Sequence, residues 1–294
     1  MSEIAKAPSR FIASARARLD LRAPAVMGIL NVTPDSFSDG GRFVETERAV
    51  THALDMVAQG ARIIDVGGES TRPGATPVDA DEELARVLPV IEALRARSDV
   101  FISIDTVKPQ VMQAACAAGA DLINDVMALR APGAVEAAAR TGAAVCLMHM
   151  QGEPRTMQQA PAYDDVVTDV RAFLDARVAA CRAAGVPDER LCIDPGFGFG
   201  KTLTHNLTLM RALDVFTSGP LPVLVGVSRK SMFKQLFDAD DMPSRINGSL
   251  AAAFWAAQHG AGIIRTHDVR ETTQVLTLAR ALADNQAMAS SGKG

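Results

Sequence analysis

The chain is expected to fold as a single (β/α)8 barrel. Three observations lead there. Eight short, continuously apolar runs alternate with eight Ala-rich stretches of helical period, as expected for parallel strands covered on both sides. Most of those runs end in a polar residue, and in a barrel the strand ends carry the chemistry. A doubly wound sheet, the competing arrangement, would place a Gly-rich fingerprint after its first strand, and Asn31–Ser36 has none.

Strands are expected over Ala25–Leu30, Ala61–Val66, Val100–Asp105, Ala120–Asn124, Ala143–Met148, Leu191–Asp194, Pro222–Val227 and Gly262–Arg265. Helices are expected over Glu45–Gln59, Asp81–Arg97, Pro109–Ala118, Gly133–Arg140, Tyr163–Ala184, Asn206–Thr217, Ser244–His259 and Val269–Asn285. Several are followed by a stop glycine: Gly60, Gly119, Gly142, Gly185 and Gly260. Residues 1–24 read as a poorly ordered arm, 25–288 as one domain, and 289–294 as a frayed tail.

Composition narrows the function. The 294 residues are 48% hydrophobic, ample for a core, and the net charge is −4. With no basic block either, nucleic acid is not an expected partner. No apolar run reaches the ~20 residues that span a bilayer, and residues 1–24 lack the apolar segment of a secretory signal. The four cysteines, Cys116, Cys146, Cys181 and Cys192, show no metal or redox spacing and read as buried thiols. A cytoplasmic location is the expectation.

The strand ends come next. The first gives Asn31, with Thr33, Asp35 and Ser36 in its loop. Asp105, Asn124 and Asp194 end three buried runs, where carboxylates are costly unless paired or hydrogen-bonded. A flat heterocycle with an amide-like edge would supply the missing donors, and Lys230 could join from the next loop. Arg265 and His267, beside Asn31 across the barrel closure, form an expected anion site, where these barrels often hold phosphate. Asn31 can also offer an oxygen to a hard cation such as Mg2+.

Other polar residues suit local roles. Asp125, Thr202 and Asp268 suit helix capping, Asp65 a neighbouring cation or backbone, and His149 a satisfied rim position. Gly196–Thr202 fails the P-loop test, because Pro195 stands where the first glycine belongs. Its glycines would let backbone approach a ligand, with Phe197 and Phe199 as an apolar wall. The loops 32–41 and 67–77 read as closing lids.

Seven stretches together closely resemble the dihydropteroate synthase family: MGILNVTPDSFSDGG (27–41), DVGGESTRPGA (65–75), SIDT (103–106), INDV (123–126), DPGFGFGKT (194–202), GVSRKS (226–231) and RTHDV (265–269). The resemblance implies a barrel enzyme, commonly dimeric, that joins 6-hydroxymethyl-7,8-dihydropterin pyrophosphate to 4-aminobenzoate with Mg2+. It implies that Asp105, Asn124, Asp194 and Lys230 hold the pterin. Arg265 would lie against the pterin and face the pyrophosphate, His267 would contact pyrophosphate, and Asn31 would bind the metal. Thr71, Arg72, Pro73, Phe199 and Ser231 would shape the aminobenzoate site, and Asp35 and Phe37 would come from the closing first loop. A methyltetrahydrofolate-binding methyl-transfer domain, or a silent pterin-binding homologue, are the alternatives.

Overall fold

A computed structural model of the chain describes residues 10–32, 41–69, 78–152, 157 and 161–283. The chain enters through a short antiparallel hairpin, β1 (Phe11–Ala13) and β2 (Arg18–Asp20). Eight parallel strands follow: β3 (Ala25–Asn31), β4 (Ala61–Gly67), β5 (Phe101–Asp105), β6 (Leu122–Asp125), β7 (Ala144–Met148), β8 (Leu191–Asp194), β9 (Leu224–Gly226) and β10 (Ile263–Thr266). Strands β3 to β8 pair in chain order, and β10 lies between β3 and β9. The ring closes where the Ile193 N–H donates to the Pro222 carbonyl at 3.0 Å and Ile193 bridges Val223.

Around the ring run α1 (Gly41–Ala58), α2 (Ala80–Arg95), α3 (Pro109–Ala117), α4 (Ala134–Thr141), α5 (Val166–Ala183), α6 (Leu203–Arg211), α7 (Asp214–Thr217), α8 (Ser231–Phe237), α9 (Met242–Gln258) and α10 (Val269–Ala283). The expected (β/α)8 barrel is therefore present. Side-chain caps set several helix starts. Asp79, Asp165 and Asp241 accept the Glu82, Thr168 and Ser244 amides, and Thr202 forms a capping box with His205. The cap at Asp165 moves the start expected at Tyr163 to Val166. The helix expected over 206–217 is broken into α6 and α7, and α8 was not anticipated. Among the described residues no helix is long and apolar enough to cross a membrane.

Within each strand, alternate residues face opposite ways. Val26, Ile64, Ile102, Ile123, Val145, Ile193, Val225 and Ile264 pack outward with the helices. Met27, Ile63, Phe101, Leu122, Ala144, Cys146, Cys192, Leu224 and Ile263 pack together inside the barrel. Burial on both faces is why the sequence shows continuous apolar runs.

The arm expected over residues 1–24 needs correction from Arg10 onward. Ile12, Leu19 and Leu21 are buried in the inner cluster, so the hairpin plugs the amino-terminal end of the barrel. Its short alternating pattern was hidden among arginines. Arg16 donates to buried Asp121 from Nε at 2.7 Å, and Arg95 Nη2 donates to the same carboxylate at 2.7 Å. Residues 1–9 and 284–294, including the expected tail, lie outside the described residues.

Candidate active site

Two residues beyond the inner apolar layer, the same alternation turns polar. Ile63 leads to Asp65, Phe101 to Ser103 and Asp105, Leu122 to Asn124, Cys192 to Asp194, and Ile263 to Arg265. Asp105 and Asn124 are partners in register across β5 and β6. The structure thus gathers Asp105, Asn124, Asp194 and Arg265 at one mouth of the barrel, with Asp65 among them.

Arg265 is the cation at the centre. Its Nε donates to Asp65 Oδ2 at 2.6 Å and its Nη2 to Asp105 Oδ2 at 2.8 Å. Burial works against its charge, but Asp65 and Asp105 outweigh that and hold its pKa above the usual guanidinium value. Asn124 Nδ2 donates to Asp65 Oδ2 at 3.2 Å, which turns its amide oxygen the other way. Asp65 Oδ1 and Asp105 Oδ1 are buried and meet no hydrogen-bond donor among the described residues. Buried carboxylate oxygens of this kind call for a donor from a ligand.

Charge at the floor is finely balanced. Burial pushes the Asp105 pKa up to about 7 against the pull of Arg265, and Asp65, Glu83 and Asp125 add repulsion. Burial likewise raises Asp194 to about 6. The Gly196 N–H, donating to Asp194 Oδ1 at 2.7 Å, and the charges of Lys230, Lys201 and Arg265 oppose that rise.

Lys230 follows Arg229, whose left-handed backbone (φ 55°) turns the chain at the end of β9. The Lys230 Nζ lies 4.1 Å from the centre of the Phe199 ring, a cation–π contact. Ser231 is the first residue of α8. His267 Nδ1 is 2.9 Å from Ser228 Oγ, which also accepts the His267 backbone N–H at 3.0 Å. Asn31 ends β3 opposite Gly67. Asp35, Phe37, Thr71, Arg72 and Pro73 lie outside the described residues.

Local expectations divide. Thr202 caps α6, and Asp125 accepts the Met127 and Leu129 amides at 2.6 and 2.8 Å. Asp268 stands directly before α10, where its carbonyl accepts the Thr272 N–H, and the Arg229 guanidinium binds both its carboxylate oxygens. Asp65 holds a cation, as expected.

The glycine-rich turn also departs from its reading. A Cβ at Gly196 (φ +71°) would lie 1.9 Å from the His149 carbonyl oxygen, so this glycine makes room for the protein's own backbone. Phe197 is buried in the outer core rather than forming a wall, whereas Phe199 packs at the mouth with Met148 and Met150. Two features escaped the sequence reading. Lys201 is buried beneath the turn, and Lys108 pairs with Glu69 and buried Glu83 beside the second strand's loop. Only the period-two continuation of the inner layer could have separated inward Asn124 from outward Asp125.

Comparison with known proteins agrees with this geometry. The family model described as "Pterin binding enzyme" matches residues 27–267. The dihydropteroate synthase of Escherichia coli (strain K12) is 55% identical over 264 residues, 90% of this chain and 93% of that protein. A Yersinia pestis dihydropteroate synthase solved with a sulfonamide drug superposes with a TM-score of 0.87 at 51% identity, covering 93% of this chain and 99% of that one. The Xanthomonas albilineans enzyme solved with 4-aminobenzoic acid gives 0.87 at 48% identity, covering 94% and 100%. The same enzyme in complex with 7,8-dihydropteroate gives 0.83 at 43% identity, covering 94% and 99%. The chain is a member of the pterin-binding enzyme family, and within it of the dihydropteroate synthases.

Proposed function

We propose how the residues divide the labour of a dihydropteroate synthase, which joins 6-hydroxymethyl-7,8-dihydropterin pyrophosphate to 4-aminobenzoate and releases pyrophosphate. One observation carries the reading: buried Asp105 and Asp65 each keep an oxygen that meets no donor among the described residues, beside Arg265. Asp105, Asn124, Asp194 and Lys230 hold the pterin edge. Arg265 lies against the pterin and faces the pyrophosphate, which His267 also contacts. Phe199 and Ser231, with Thr71, Arg72 and Pro73, shape the arylamine site, and Asp35 and Phe37 belong to a closing loop.

Departure of pyrophosphate leaves a delocalised pterin cation, which Asp105 and Asp194 stabilise electrostatically in a low-dielectric floor. The weakly basic arylamine nitrogen then attacks an already electrophilic carbon, so no strong general base is needed. The residues fit a Mg2+ ion bound mainly through the substrate. Among the described residues no cluster of three acidic, His or Cys side chains exists, and Mg2+ suits one or two protein oxygens plus phosphate oxygens. The Asn31 amide oxygen would supply one. When bound, the ion neutralises charge on the leaving pyrophosphate.

The test is pyrophosphate release that requires both substrates and Mg2+ and is suppressed by a sulfonamide. Release from the pterin substrate alone at the same rate would refute the transfer reading.

We also infer a homodimer in a reducing cytoplasm. Val215, Leu236, Phe237, Met242 and Trp255 expose apolar surface on the adjoining helices α7 to α9, and the four cysteines are free thiols. Light scattering at the monomer mass would contradict the dimer.

A further inference from the structure

Lys201 is 3% exposed, and its Nζ lies within hydrogen-bond distance of four acceptors. Three are close, the Gly196 carbonyl at 2.8 Å, His149 Nδ1 at 2.9 Å and the Phe199 carbonyl at 3.0 Å, and the His149 carbonyl is longer at 3.4 Å. The three N–H groups of an ammonium are thereby satisfied, as a buried cation requires. Facing a charged Lys201, Nδ1 of His149 accepts, which puts the ring proton on Nε2 and leaves the ring neutral. Burial chiefly, with the charges of Lys201 and Arg130, holds the His149 pKa down to about 3.

Each tied group leads into the mouth of the barrel. The Gly196 N–H donates to Asp194 Oδ1 at 2.7 Å, and the His149 N–H donates to the Asp194 carbonyl at 2.9 Å. Phe199 carries the ring beneath Lys230. On the far side, Asn206 Oδ1 accepts the Gly198 N–H at 2.7 Å while its Nδ2 donates to the Thr202 carbonyl at 2.8 Å. The turn is thus pinned from both flanks, and the ammonium is the pin on the ligand side.

We propose that Lys201 is a positioning residue: it ties the turn after β8 to the end of β7 and thereby sets the Asp194 carboxylate and the Phe199 ring for the two substrates. The proposal rests on reading Asp194 and Phe199 as ligand residues. It has an electrostatic signature as well as a geometric one. The cations facing Asp194 are Lys201, Lys230 and Arg265, and all favour its ionised form. Burial chiefly pushes the Lys201 pKa down to about 7, with Asp194 opposing the fall and Lys230 adding to it, so the ammonium carries its charge on the acidic side of neutrality, where Asp194 titrates.

Lys201→Met keeps the length of the side chain and removes the charge. In folded K201M, the KM for 4-aminobenzoate should rise about tenfold or more, since a small displacement of positioning groups costs that much. The acidic limb of the kcat/KM profile should move to higher pH, since Asp194 loses one of the three cations that favour its ionised form. Lys201→Arg, which keeps the charge, should hold the limb near its wild-type position even where KM rises. A merely structural role would lower the melting temperature without moving the limb. Wild-type KM and limb in folded K201M overturn the proposal. Should K201M not fold, His149→Ala removes one acceptor and should shift both readouts in the same direction by a smaller amount; no shift there overturns it equally. Calorimetry of pterin binding to Asp194→Asn separates the two readings. Wild-type affinity in D194N refutes the ligand role of Asp194, whereas lost affinity in D194N with an unperturbed K201M refutes the role of Lys201 alone.

Discussion

Arg265 and Asp65 stand 200 residues apart in the chain, yet their side chains meet at 2.6 Å inside the barrel mouth. The same guanidinium holds Asp105, so one cation neutralises two buried carboxylates. Removing it should leave both uncompensated. Arg265→Met is expected to destabilise the fold by about 3 kcal/mol at pH 8, the usual cost of breaking a buried pair. The loss should shrink at pH 5, where the carboxylates can take up protons. Urea unfolding at the two pH values measures this, and an equal loss at both would contradict the account.

The floor residues should matter for turnover more than for folding. Asp105→Asn and Lys230→Ala are each expected to lower kcat/KM by at least ~100-fold, about 2.7 kcal/mol of transition-state stabilisation. Steady-state kinetics with saturating arylamine checks this, and near wild-type turnover in either variant would remove the pterin-floor assignment.

Stability and activity should respond to pH in opposite senses. In the folded state Asp105 titrates near 7 and Asp194 near 6, both above the ordinary value of 3.8. Between pH 4 and 7 the folded state therefore holds protons that the unfolded chain has released. The unliganded protein should lose stability as pH rises through that window. Activity should rise through it, because the ionised floor is what binds. Melting curves and a kcat/KM profile from pH 5 to 8 test both slopes. Parallel slopes would show that other groups dominate.

The hairpin offers a control. Ile12→Ala removes a fully buried side chain at the closed end and should cost roughly 2–5 kcal/mol of stability. Because the site lies at the other end, kcat/KM should stay within about twofold of wild type. A large change in KM would mean that the two ends are coupled.

Much of this architecture was legible in the sequence, because buried parallel strands leave continuous apolar runs. The strand ends were legible too: Asn31, Asp105, Asn124, Asp194 and Arg265 lie where the pattern placed them. The hairpin was not, since each of its strands has three residues and one fully inward side chain. Lys201 was not either. A lysine after a glycine-rich turn looks like surface, and its acceptors come from backbone and from a histidine ring 52 residues away. Phe197 and Phe199 are near neighbours of one type, yet one is core and the other lines the mouth, a distinction that the glycine-rich turn between β8 and α6 sets.

The barrel has a single door. Its interior is filled by side chains from Met27 to Ile263 and closed below by Ile12, Leu19 and Leu21, so a visitor can come and go only past the rim that Asn31 and His267 occupy. Both substrates and both products therefore share one approach, and it is the carboxyl end of the strands that they share.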